Sequence, residues 1–152
     1  TATAGDAEMA ERIALHRVRR PPAWRTLEEP RRPAETLNAE LGDAATVLVE
    51  DLTLLLANLL ELDGSASGQE DTEQRQAAGE HGAETRAAME LEALLALKAD
   101  VIMVSNEVGM GIVPPYASGR IFRDTMGRLN QRAASLCNEV YFVVAGVPLR
   151  LK

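Results

Sequence analysis

Cysteine is almost absent from this sequence. Cys137 stands alone among 152 residues, which excludes an internal disulfide and a cysteine-based zinc site and leads us to expect a reducing, cytoplasmic setting. Basic charge is in deficit as well: 16 Lys and Arg face 23 Asp and Glu, a formal net charge of −7. A protein that coats nucleic acid normally carries a dominant basic balance, so no nucleic-acid partner is expected, although local basic patches remain open. Long apolar runs are missing. The longest, Leu52 to Leu60, is broken by Thr53 and Asn58 and falls short of the roughly 18 to 20 residues that cross a bilayer, so a soluble protein with no membrane span is expected. There is no initiator Met and no basic-then-apolar leader. The chain opens on Thr1-Ala2-Thr3-Ala4-Gly5 as if inside an element, and an N-terminal piece is expected before it. No internal repeat is visible. What is present is 46% hydrophobic, enough for one domain with a core of ordinary size.

Three short apolar runs organise that core. Thr46-Val47-Leu48-Val49, Val101-Ile102-Met103-Val104 and Val140-Tyr141-Phe142-Val143-Val144 have the continuous, β-branched character of strands covered on both faces. Helical spacing predicts helices over Ala7–Val18, capped by Asp6 and closed by Pro21-Pro22, and over Ala34–Leu41, ended by Gly42. Further helices are predicted over Thr53–Leu62, Glu84–Lys98 and Ser118–Leu136. Trp24 to Glu28 alternates as a short strand would. Strands alternating with helices predict an α/β fold, a mostly parallel sheet flanked by helices, with Val147–Leu151 returning as an antiparallel edge. Asp63 to Ala83 is rich in Gly, Ser, Gln, Glu and Asp and is expected to be a mobile acidic loop.

Charge is segregated. Arg12 to Arg32 holds seven arginines against Glu28 and Glu29, whereas Asp63 to Glu90 holds seven acidic residues against two arginines. In open parallel sheets ligands sit beyond the carboxyl ends of the strands, which directs attention to Glu50-Asp51 and Asn106-Glu107. An acidic residue at such an end can hold Mg²⁺, directly or through water; Asp51 can equally be the N-cap of the helix that follows. His16 lies among Arg12, Arg17, Arg19 and Arg20. Guanidiniums around an imidazole resist a further positive charge on it and can hold phosphate oxygens, the setting of a nucleophile for a nucleotide α-phosphate. A surface histidine on an arginine-rich helix fits the same pattern. Glycines in Val108-Gly109-Met110-Gly111-Ile112 would let backbone approach a ligand, or serve a plain crossover.

Several segments taken together are similar to a known family. Glu8-Met9-x-x-Arg12-Ile13-x-x-His16-Arg17, Arg20-Pro21, Trp24-x-Thr26-x-Glu28, Ser105-Asn106-Glu107-Val108-Gly109-Met110-Gly111-Ile112-Val113-Pro114, Phe122-Arg123-Asp124 and Gly127-Arg128-Leu129-Asn130-Gln131-Arg132 resemble the bifunctional adenosylcobinamide kinase / adenosylcobinamide-phosphate guanylyltransferases of cobalamin biosynthesis. The resemblance runs over the whole chain and weakens between Asp63 and Ala83. It implies a P-loop (RecA-like) fold that phosphorylates adenosylcobinamide with ATP or GTP, then transfers GMP from GTP to adenosylcobinamide phosphate through a guanylyl-histidine. By position that histidine is His16. The nucleotide contacts it implies fall on Thr1, Ala2, Arg17, Val18, Arg19, Arg20, Glu28 and Glu50, with Mg²⁺ at Glu50, and the implied assembly is a homotrimer.

The chain departs from the family in three places. No Gly-x-x-x-x-Gly-Lys-Ser sequence occurs in it. Thr1-Ala2-Thr3 resembles the end of the family's second strand, so about thirty preceding residues are expected from the length of a strand, loop, helix and strand. Leu15 stands where a further histidine is frequent, and Glu50-Asp51 where an Asp and a small residue are usual. Two other readings stand beside this one. A P-loop small-molecule kinase without nucleotidyl transfer would form no GMP adduct, and an inactive fragment or interaction module without the P-loop would bind little triphosphate.

Overall fold

Asp6 starts the first helix, α1 (Ala7–Arg19), by accepting a hydrogen bond from the Met9 amide at 2.7 Å. In the computed structural model the backbone of residues 1–65 and 73–152 is described, with side chains outside 62–80. The chain divides into two compact units, Thr1–Asn106 and Glu107–Lys152.

In the first unit α1 is followed by α2 (Pro33–Glu40), β1 (Thr46–Val49), α3 (Leu52–Ser65), α4 (Glu73–Leu95) and β2 (Asp100–Met103). Strands β1 and β2 are parallel, with Val47 opposite Val101 and Val49 opposite Met103. Helix α3 buries Leu52, Leu55, Leu56 and Leu59, and α4 buries Ala83, Ala87, Leu91 and Leu94. Both sets recur at three- and four-residue intervals, so each forms one stripe, and the two helices pack together. Each fully buried leucine contributes about 1.5–3 kcal/mol. That seam outweighs surface ion pairs such as Arg32–Glu35, worth a few tenths each. A second cluster joins Ala34 of α2, Val47 and Val49 of β1 and Leu94 of α4, which sets the carboxyl ends of both strands on a firm base.

In the second unit, α5 (Ala117–Leu136) buries Thr125, Met126 and Leu129, and β3 (Tyr141–Val144) pairs antiparallel with β4 (Val147–Arg150). The expected returning strand is therefore present, but among the described residues the parallel sheet has two strands. The third apolar run, expected to join it, is hydrogen-bonded to β4 in a separate two-stranded sheet and is largely exposed. The cause is local. Ala145 and Gly146, at φ 50 and 78, make a two-residue turn of the kind that closes hairpins, so neighbouring strands pair at once.

Two further expectations are corrected. Trp24 to Glu28 forms no strand: Pro21 and Pro22 lead into it, the Trp24 amide turns back to the Pro21 carbonyl, and among the described residues no strand pairs with it. The acidic loop expected over Asp63–Ala83 is helical at both ends, since α3 reaches Ser65 and α4 begins at Glu73; its middle, residues 66–72, lies outside the described residues. Ala145 also yields a prediction. A left-handed alanine costs about 1 kcal/mol that asparagine largely avoids, so Ala145→Asn is expected to raise unfolding stability by about 0.5–1 kcal/mol, read from the urea midpoint at unchanged slope.

Candidate functional site

Strand β1 ends by delivering Glu50 and Asp51 to the carboxyl edge of the parallel pair. Asp51 caps α3, its Oδ1 accepting from the Leu54 amide at 2.7 Å, and its Oδ2 accepts from Asn106 at 3.3 Å. Asn106, three residues after the end of β2, also donates from its backbone and side chain to Thr53 at 3.1 and 3.0 Å. The N-cap role open for Asp51 is thus realised. Thr1 is tied to the same edge through its hydroxyl, which meets the Glu50 and Asp51 carbonyls at 3.0 and 2.9 Å. Buried Asn58 holds the Thr1 and Pro30 carbonyls at 2.9 and 3.0 Å.

Glu50 points away from this scaffold. Its Oε2 meets His16 Nε2 at 2.7 Å and Arg20 at 2.9 Å. Arg20 donates with its other terminal nitrogen to Thr26 at 2.9 Å, and Arg17 is ion-paired with Glu28. These groups line a cavity of about 270 Å³. Of the residues singled out from sequence, His16, Arg17, Arg20, Glu28, Glu50, Thr1 and Ala2 all border it. Val18 and Arg19 do not; Val18 is 83% exposed, because a helix turns successive residues by about 100° and takes them off the face that carries His16 and Arg20.

Arg12, placed beside His16 by the sequence, also borders the cavity, whereas Met9, Ile13, Thr26, Leu27, Leu54 and Val104 were missed as wall residues. A signal for Met9 and Ile13 existed: with Arg12, His16, Arg17 and the C-cap Arg20 they recur every three or four residues along one face of α1 and its end. Of the four guanidiniums expected around His16, Arg12, Arg17 and Arg20 border the cavity and Arg19 does not, and the imidazole itself is bonded to the Glu50 carboxylate.

Burial pushes the Glu50 carboxyl up, but hydrogen bonds from Arg20 and His16, with their charge, outweigh it and hold the group below the ordinary 4.5. A carboxyl lowered on folding stabilises the fold above its ordinary value and loses that contribution as pH falls through the lower, folded value. Unfolding stability is therefore expected to fall below about pH 4.5 more steeply in the wild type than in Glu50→Gln, when urea midpoints are compared from about pH 6 to pH 3.

Glu50 was expected to hold Mg²⁺. In the structure its Oε2 accepts from Arg20 and lies 2.7 Å from His16 Nε2, and among the described residues no three His, Cys, Asp or Glu side chains gather as metal ligands. Among the described residues no helix is long and apolar enough to cross a membrane.

A small parallel sheet flanked by helices, with a histidine, guanidiniums and a carboxylate beyond a strand end, defines an α/β protein with a histidine-bearing, arginine-lined cavity. Comparison with known proteins narrows the class. Residues 1–151 match the family described as CobU, cobinamide kinase / cobinamide phosphate guanyltransferase, and the chain belongs to that family. The bifunctional adenosylcobalamin biosynthesis protein CobP of Pseudomonas aeruginosa is 45% identical over 152 residues, covering 100% of this chain and 79% of that protein. The bifunctional adenosylcobalamin biosynthesis protein CobU of Escherichia coli is 39% identical over 151 residues, and its namesake from Salmonella typhimurium 40% over 148; each alignment covers 97% of this chain and 80% of the relative.

Proposed function

We propose that this protein is a cobinamide kinase / cobinamide phosphate guanylyltransferase of cobalamin biosynthesis, and that the cavity beside His16 performs the guanylyl transfer. One observation carries the second part: His16 Nε2 lies 2.7 Å from the Glu50 carboxylate, inside a cavity that also holds Arg17 and Arg20. A carboxylate on one ring nitrogen keeps the proton there and leaves the lone pair on the other, Nδ1. The pairing of base, orienting acid and phosphate-binding guanidiniums is what attack on a phosphorus ester needs.

The first transfer begins with the Nδ1 lone pair of His16 attacking the α-phosphorus of GTP. A P–N bond forms, the bond to the bridging oxygen breaks, and pyrophosphate departs with that electron pair. Glu50 offsets the charge that develops on the ring, and Arg17 and Arg20 that on the phosphates. In the second transfer an oxygen of adenosylcobinamide phosphate attacks the same phosphorus. The P–N bond breaks, its electron pair returns to Nδ1, and a phosphoanhydride joins GMP to the acceptor.

The finer parts of this reading have more general support. A P-loop (RecA-like) sheet is supported by two parallel strands with polar residues at their carboxyl ends. Mg²⁺ accompanying ATP or GTP would take its ligands from phosphate and water, as it commonly does, and homotrimeric assembly can be measured by sedimentation. The kinase half would draw on a phosphate-cradling loop, which none of the residues around His16 supplies.

The test is incubation of the full-length protein with GTP labelled at the α-phosphate. An acid-labile, base-stable GMP adduct is expected, discharged by adenosylcobinamide phosphate. Transfer of GMP with no protein-bound adduct at any time would instead mean direct displacement, with no role for His16 as carrier.

A further inference from the structure

Guanylyl transfer has a second substrate, and its phosphate needs a cation of its own. We infer that Arg12 is the residue that receives the phosphate monoester of the acceptor. This inference rests on the proposed transfer through His16.

Three arginines border the cavity, Arg12, Arg17 and Arg20, and they are not equally available. Arg20 is the most enclosed, with 24% of its side chain exposed, and is bound to Glu50 and Thr26. Removing it from them would strip the counter-charge from the group that orients His16. Arg17 is paired with Glu28, itself a wall of the same cavity. Arg12 is paired with Glu8 at 2.9 Å, four residues back along α1, with 68% and 76% of the two side chains exposed. Glu8 is not part of the cavity wall. An exposed pair of that spacing contributes little to stability, so Arg12 can be turned towards an incoming anion at little cost.

Position favours the same residue. Arg12 precedes His16 by one helical turn, about 6 Å along the axis, and both line the cavity. A planar guanidinium binds a phosphate through two parallel hydrogen bonds, fixing its orientation as well as its position. Half-buried Met9 and Ile13 flank Arg12 on this face. They offer apolar contact to the carbon chain that carries a phosphate monoester, whereas a free inorganic phosphate would gain nothing from them. A monoester has one phosphate to hold, while the pyrophosphate leaving group of GTP has two and can be gripped at more points. Loss of Arg12 therefore weakens the second transfer more than the first.

The experiment separates the half-reactions in the full-length protein with Arg12→Gln and Arg12→Lys. Wild-type protein is first shown to load GMP from GTP; failure at that step overturns the transfer through His16 and this inference with it. With loading established, Arg12→Gln is expected to load within about threefold of wild type, while discharge of the preformed adduct by adenosylcobinamide phosphate slows at least 30-fold at subsaturating acceptor. Arg12→Lys, which keeps the charge but not the fork, is expected to fall between, with the larger change in KM for the acceptor. Discharge at the wild-type rate, or loading and discharge lowered equally, overturns the assignment while leaving the role of His16 intact.

Discussion

Replacing His16 by alanine is expected to remove GMP loading altogether and to lower guanylyl transfer by about 10⁴-fold or more, the usual cost of losing a covalent nucleophile. Phosphorylation of cobinamide by ATP is expected to stay within about tenfold of wild type, because no bond to the imidazole forms in that step. The fold should persist. His16 is 49% exposed and its polar contact is with Glu50, so its removal leaves no cavity in the core, and the urea midpoint is expected to move little. Loading is read from label retained on the denatured protein, and the kinase step from phosphorylated cobinamide. A variant that keeps its label would show that another residue carries GMP. A variant that loses both activities while remaining folded would show that His16 serves nucleotide binding in common, and the division into two chemistries would have to be redrawn.

Much of the machinery around His16 could be read from the sequence, and the reason is periodicity. One face of α1 and its C-cap carries Met9, Arg12, Ile13, His16, Arg17 and Arg20, six residues in a repeat of three and four that a helix brings to one wall. The strand runs were equally clear, since Thr46–Val49 and the run from Val101 lie in the parallel pair, although β2 is covered on one face only and Ile102 is 55% exposed. Legibility ended where a property depends on distant chain. Nothing local in Glu50 announces a partner 34 residues away, and its role as the anion between His16 and Arg20 emerges only when β1 ends beside α1. Thr26, Leu27 and Glu28 alternate like a strand, yet two prolines before them and, among the described residues, no strand paired with them leave an irregular segment against the cavity. The apolar run at Tyr141–Val144 was read as buried because its composition is that of a covered strand. A two-residue turn instead gave it a nearer partner in β4.

Glu50→Gln is expected to have the largest effect after loss of the nucleophile, a fall of about 10²–10³-fold in the rate of GMP loading, typical of removing one preorganised charge from a transition state. The amide fills the same space and can still meet His16 Nε2, so packing is preserved. It carries no charge to set against the ring as the P–N bond forms, and it leaves Arg20 without its counter-ion beside the nucleotide. The second consequence opposes the first in binding. An unpaired Arg20 attracts phosphate more strongly, so Kd for GTP is expected to hold or fall even as loading slows. That split separates a positioning carboxylate from a structural one, which would weaken binding and loading together. Glu50→Asp adds a geometric control: the charge stays but the reach shortens by one methylene, opening the 2.7 Å contact with His16, and loading should recover only in part. If Glu50→Gln loads GMP at the wild-type rate, the ring is oriented by something other than this carboxylate. If GTP binding collapses instead, Glu50 holds the nucleotide directly, and its contact with His16 belongs to the empty site alone.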